Sequence, residues 1–134
     1  METTNITEFI PKDKFDVVSV ERLKNIDPSE ITPVSIQLLE WIQDINWPVA
    51  QKLILVLPRF CKQLVPGIKQ ILSDKVNDVI WKYWIVTYLL DKFPAELLKD
   101  LRAELSALAS TDSTDEDEKE LAEEAQALLM KYTD

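Results

Sequence analysis

Asn77-Asp78-Val79-Ile80-Trp81-Lys82-Tyr83-Trp84-Ile85-Val86-Thr87-Tyr88-Leu89-Leu90-Asp91-Lys92-Phe93-Pro94 is the stretch on which the fold turns. Its β-branched and aromatic residues favour strands by propensity alone. Its length and its ends favour a helix, because Asn77-Asp78 supplies capping side chains and no proline or glycine interrupts the run before Pro94. Tight hairpins need residues that accept positive φ, and the chain has a single glycine, Gly67. A helix that is apolar on most sides is a central, buried one. The same reasoning makes Leu53-Ile54-Leu55-Val56-Leu57, held between Pro48 and Pro58, helical.

Outward from that stretch, prolines and Asx residues punctuate the chain at the spacing of short helices. Asp27-Pro28 and Asn46-Trp47-Pro48 each set a polar side chain close before a proline, whose missing N–H costs nothing in a first helical turn. Apolar residues recur with helical period at Leu64, Val65, Ile68, Ile71 and Leu72, and again at Leu97, Leu98, Leu101, Leu105 and Leu108. Leu121, Ala122, Ala125, Leu128, Leu129 and Tyr132 repeat the stripe near the end. The spacing predicts seven helices, at residues 16–25, 32–43, 47–60, 64–73, 78–92, 94–109 and 115–131.

Composition bounds the chemistry. The 134 residues are 46% hydrophobic, enough to bury a core, and they form one domain of ordinary size. No histidine, one cysteine (Cys61) and one glycine exclude a His-based triad, a His/Cys metal cage and a glycine-rich phosphate loop. No catalytic, cofactor-binding or metal-ligating set is expected. The net charge of −9 is concentrated: residues 111–124 hold eight acids against Lys119 alone, while the first 110 residues are nearly balanced. Nucleic acid and anionic membranes reward a positive field, which this chain lacks. A lone cysteine and the absence of a charged-then-apolar leader point to a reducing cytoplasm, with monomer the favoured state. The apolar run 79–90 is too short for a membrane span of roughly 20 residues.

A faint repeat is present. Asp44-x-x-Trp47 and Asp78-x-x-Trp81 lie 34 residues apart, and Asp115-x-x-Glu118 follows 37 residues later. Periods of this size with two helices each mark helical solenoids. The expected fold is therefore all-α: a HEAT-like right-handed superhelix of about three antiparallel helix pairs, with the first helix as a cap. Residues 1–15 form an N-terminal extension and 111–134 an acidic closing helix docked on 94–109.

IPKDKFD at 10–16, LLEWIQDINWPVA at 38–50, IWKYW at 80–84 and EDEKELAEEAQALL ending at Leu129 resemble an uncharacterised, mainly bacterial family of small HEAT-like helical-repeat proteins. The resemblance spans nearly the whole chain in order, and its most specific part is Trp41-Ile42-Gln43-Asp44-Ile45-Asn46-Trp47-Pro48. It implies the fold and carries no activity.

The sharpest candidate cluster is Asp44, Asn46, Trp47, Asp78 and Trp81, with Tyr83 the aromatic nearest the surface. One reading presents these side chains to a partner. The other, which weighs more, has Asp44 and Asp78 satisfying helix N–H groups or bridging repeats while the tryptophans fill the core. Glu40 and Asp44 share a helix face as an i,i+4 pair, where solvation explains them better than acid–base catalysis. Cys61, between Arg59-Phe60 and Lys62, reads as a packing residue. DNA glycosylases of HEAT-like fold need a basic channel that is absent here. Two functions remain: a non-enzymatic protein-binding scaffold and an immunity-type inhibitor of a basic enzyme or toxin, with Glu116, Asp117 and Glu120 as the acidic partner face.

Overall fold

The computed structural model describes residues 6–132. Residues 1–5 of the expected extension and the Tyr132 side chain of the expected stripe lie outside what is described. Among the described residues there is no strand, and the chain is all-helical. It divides into two compact units, Met1–Leu64 and Val65–Asp134.

In the first unit, a 3-10 turn at Ile6–Phe9 precedes α1 (Val17–Arg22), which ends in a second such turn, Leu23–Asn25. Asp16 starts α1: its carboxylate accepts from Ser19 N at 3.3 Å, Ser19 Oγ at 2.7 Å and Lys12 N at 3.0 Å. The Lys14 carbonyl accepts from Val49 N at 3.1 Å, which ties this segment to α3 (Pro48–Val56). Val20 and Leu23 on one side and Val49, Ala50, Leu53 and Val56 on the other are buried as α1 packs on α3. Between them, α2 (Ser35–Glu40) contributes Leu38 and Leu39 to the core.

The Ser19 hydroxyl, and after it the Lys12 N–H, hold the Asp16 carboxyl below its ordinary value of 3.8. A carboxylate depressed in the folded state stabilises above its unfolded pKa and loses that contribution as pH falls through the folded one. Asp16→Asn is therefore expected to lower the melting temperature at neutral pH, with the gap to wild type closing on acidification below about pH 4. A gap that widens in acid would contradict the capping role.

Helix 32–43 is shorter than its apolar pattern suggests. Glu40 closes α2, and Trp41, Ile42 and Gln43 donate three residues back to Leu38, Leu39 and Glu40, so the chain tightens into turns. No α-helix can begin again before Trp47, because a residue preceding proline is pushed out of the helical region. Trp47 accordingly sits at φ −65° and ψ 138°, and Pro48 opens α3.

A 3-10 turn at Leu57–Phe60 leads from α3 into α4 (Cys61–Leu72), within which the two units divide. The Arg59 guanidinium reaches back to the end of the first helix, where Nη1 donates to the carbonyls of Leu23 at 3.0 Å and Ile26 at 2.8 Å. Otherwise orphaned helix-end carbonyls are satisfied by a cation that also favours the negative end of the helix dipole. Arg59→Ala should cost about 1–3 kcal/mol in urea unfolding, and Arg59→Lys should recover part of it, since an ammonium can donate to the same carbonyls but sits on a differently shaped, strongly hydrated head. Equal stability of wild type and Arg59→Ala would show these bonds to be incidental.

α4 starts three residues earlier than the stripe at Leu64 indicates and carries Pro66 inside it. Pro66 and Lys62, the residue four positions back whose carbonyl the proline cannot bond, are both exposed, so water can serve that carbonyl.

In the second unit, α5 (Val79–Trp84) passes into a π-helical turn, Ile85–Leu89, and a 3-10 turn, Leu90–Lys92. Asp78 caps α5, its Oδ1 accepting from Trp81 N at 3.0 Å. The buried residues Trp81, Lys82, Ile85, Val86, Leu89, Leu90 and Phe93 recur every four positions. In an unbroken α-helix each four-residue step overshoots a full turn by about 40°, which would rotate this stripe off the core. The wider π turn cancels the drift.

Lys82 belongs to that buried stripe, and its Nζ donates to the Ser73 carbonyl just past α4 at 3.0 Å. Burial lowers its pKa from the ordinary value, against the opposing pull of Asp74 and Asp78. α6 (Ala95–Asp100) and α7 (Arg102–Ala109) replace the single expected helix 94–109, broken at Leu101, whose φ is −101° and ψ 4°. Asp115 begins α8 (Glu116–Tyr132) by accepting from Glu118 N at 3.0 Å. α8 packs on α7 and α5 through buried Leu121, Ala122, Ala125 and Leu128.

Candidate functional site

α5 and its π extension have two faces. Interleaved with the buried stripe are Ile80, Tyr83, Trp84 and Tyr88, and these four are not buried. Ile80 is 41% and Tyr88 43% exposed, and both lie on this face. The rings touch in sequence: Tyr83 to Trp84 at 5.4 Å between centroids and 74° between planes, Trp84 to Tyr88 at 5.6 Å and 50°. Opposite them, the first turns of α8 present Asp117 and Glu120. Together these six side chains line a groove of about 340 Å³.

Its electrostatics are one-signed. No Lys or Arg lines the groove, and neither Asp117 nor Glu120 makes an ion pair among the described residues. Burial raises the Tyr83 hydroxyl above its ordinary value of 10.0, and the negative charges of Glu124 and Glu120 push it the same way. The Trp84 indole N–H is buried without a hydrogen-bond partner.

The candidates read from the sequence separate. Tyr83, Asp117 and Glu120 come together in the groove, while Glu116 is an exposed first-turn residue of α8 outside its lining. Asp78 is a helix cap and Trp81 a core residue at 7% exposure. Asp44, Asn46 and Trp47 lie in the first unit. There Asp44 Oδ1 accepts from Asn46 N at 2.9 Å and its carbonyl accepts from Trp47 N at 3.1 Å, so Asp44 shapes the turn before α3 rather than capping the helix. Trp47 is half-buried, edge-on to Trp41 at 5.7 Å, and with Trp41, Ile10, Pro11 and Glu40 lines a shallower hollow of about 370 Å³. The Asp-x-x-Trp repeat is thus out of phase: Trp81 is the third residue of its helix and Trp47 precedes its helix.

Reading this segment as a buried central helix, apolar on most sides, placed its tryptophans in the core and gave no exposed role to Ile80 or Tyr88. The signal was present, since a four-residue period of buried positions leaves 80, 83, 84 and 88 on the other side.

The family model described as "Domain of unknown function (DUF5071)" matches residues 9–129. The chain belongs to this family. The match takes in all of α1 to α7 and most of α8, hence every groove residue and both tryptophan motifs. No curated protein matches the chain. Among the described residues of this DUF5071 chain, no cluster of three or more His, Cys, Asp or Glu could hold a metal ion, and no helix is long and apolar enough to cross a membrane.

Proposed function

We propose that this DUF5071 chain is a non-enzymatic protein-interaction module that engages its partner through the groove between α5 and α8. The observation that carries this reading is the uncovered aromatic floor of Tyr83, Trp84 and Tyr88, set in a concavity and rimmed by carboxylates. Exposed, rigid aromatic side chains are the residues that dominate protein interfaces. The HEAT-like solenoid belongs to the same proposal. It is supported by the pairing of α8 with α7, and it would place the groove between the last helical pair and the helix before it, α5. The free Cys61 suits the reducing cytoplasm in which we place it.

A photo-crosslinking residue at Ile80, on the groove's exposed edge, introduced in the native cytoplasm, should give a discrete protein adduct that the same residue at exposed Arg102 does not give. Identical adduct patterns at the two positions would end the reading.

A second function, inhibition of a basic enzyme or toxin, draws on the acidic face of α8, where Glu116, Asp117, Glu120 and Glu123 are all exposed. For a basic partner, reversing Glu116, Asp117 and Glu120 to lysine should slow association about tenfold or more at low salt. The difference should shrink in 1 M salt, where a charge is felt over only about 3 Å. A rate unaffected by reversal at low salt would exclude steering by this face.

A further inference from the structure

The groove's chemistry specifies more than a protein partner. We propose that it receives the guanidinium group of an arginine presented by that partner, stacked against the Tyr88 and Trp84 rings and hydrogen-bonded to the Asp117 and Glu120 carboxylates. This deepens the interaction reading and rests on it.

Three observations converge. First, Asp117 and Glu120 stand three apart on α8, with Glu124 four further on, so their carboxylates share one helical stripe over the groove. Neither takes part in an ion pair among the described residues, where Lys24–Glu21, Lys52–Glu21 and Lys131–Asp91 pair instead. Second, the aromatic rings offer electron-rich faces at steep mutual angles, 74° and 50°, so that a flat cation can lie on one ring while touching the edge of the next. Third, a groove of about 340 Å³ stands at the lower limit of small-molecule sites and suits one or two side chains.

Among cations, this combination selects guanidinium. A quaternary ammonium has no N–H to give the two carboxylates, which would then go unpaired. A lysine ammonium is a compact, strongly hydrated point charge, whereas guanidinium is planar, more weakly hydrated, stacks on aromatic faces and carries donors in a fork that fits carboxylates. Burial, and after it the charges of Glu124 and Glu120, raises the pKa of the Tyr83 hydroxyl, in line with a negative field over the groove.

The test uses the full chain and three acetylated, amidated peptides, Gly-Ser-Xaa-Ser-Gly, with arginine, lysine or citrulline at the centre. Citrulline keeps the planar shape and loses the charge. Indole and tyrosine-ring NMR signals are followed to millimolar peptide. The arginine peptide should shift the Trp84 indole and the Tyr83 and Tyr88 ring signals saturably, the lysine peptide should bind more weakly, and the citrulline peptide at least about tenfold more weakly. Glu120→Gln with Asp117→Asn should weaken arginine binding about tenfold, as should Tyr88→Ala, with the helical circular dichroism spectrum unchanged in each. Citrulline binding as well as arginine, an unaffected double amide variant, or no saturable shift with the arginine peptide would each overturn the proposal. The Ile80 crosslink is read separately. An adduct persisting alongside any of these results leaves the interaction module standing without its arginine, and loss of the adduct removes both.

Discussion

Removing residues 111–134 should collapse the second unit. The deletion takes away Leu121, Ala122, Ala125 and Leu128 and uncovers what α8 packs on, α7, α5 and the π turn, where Leu105, Ile85 and Val86 are at most 2% exposed. Each fully buried leucine or isoleucine is worth about 1.5–3 kcal/mol of transfer free energy, and a domain has only about 5–15 kcal/mol in all. Loss of several such contacts exceeds what the unit can spare. The truncated chain should aggregate, or melt more than about 10 °C below wild type. Size-exclusion chromatography with light scattering and thermal circular dichroism decide it. A monomer of unchanged melting temperature would show the acidic segment to be a tail with no structural part, and the groove it rims would lose one wall.

The second large effect separates two aromatic residues two positions apart. Trp81→Ala removes a buried indole beneath α5 and should cost about 3–5 kcal/mol. Tyr83→Ala, trimming a half-exposed ring on the opposite face, should cost about 1 kcal/mol and abolish crosslinking through the groove. Denaturant unfolding of the two variants gives both numbers. Reversal of the order would put Trp81 in the site and Tyr83 in the core, against the burial of each. Comparable losses would mean that the aromatic face is structural and that no binding surface needs to be invoked for it.

The two tryptophan motifs explain why part of the candidate site was legible and part was not. Asp78 before Trp81 reads correctly as a cap because nothing in Val79-Ile80-Trp81 prevents helix from its first residue. Asp44 before Trp47 has the same spacing, but Pro48 lies one residue beyond and bars helix at Trp47. That correction was available in the sequence and turns on one residue. By contrast, the pairing of Asp117 and Glu120 with Tyr83 and Tyr88 depends on how α8 lies against α5, which no local pattern encodes.

Legible in the sequence, therefore, is the local part: all-helical structure, the capping role of Asp78, and the amphipathic stripe of α8. These follow from interactions over four residues or fewer, which periodicity and capping chemistry report directly. The period of four along 81–93 even contained the π turn, unread. Long-range packing decided that Arg59 closes a helix end 33 to 36 residues earlier. It also decided that Lys82 is buried on the Ser73 carbonyl and that an acidic helix walls an aromatic groove. Each of these is a polar or aromatic side chain whose environment is supplied by another element. A residue's type limits the partners it can accept, but packing selects which of them arrives, because burial of the apolar stripes fixes the helix placement and the polar groups take what that placement brings within reach.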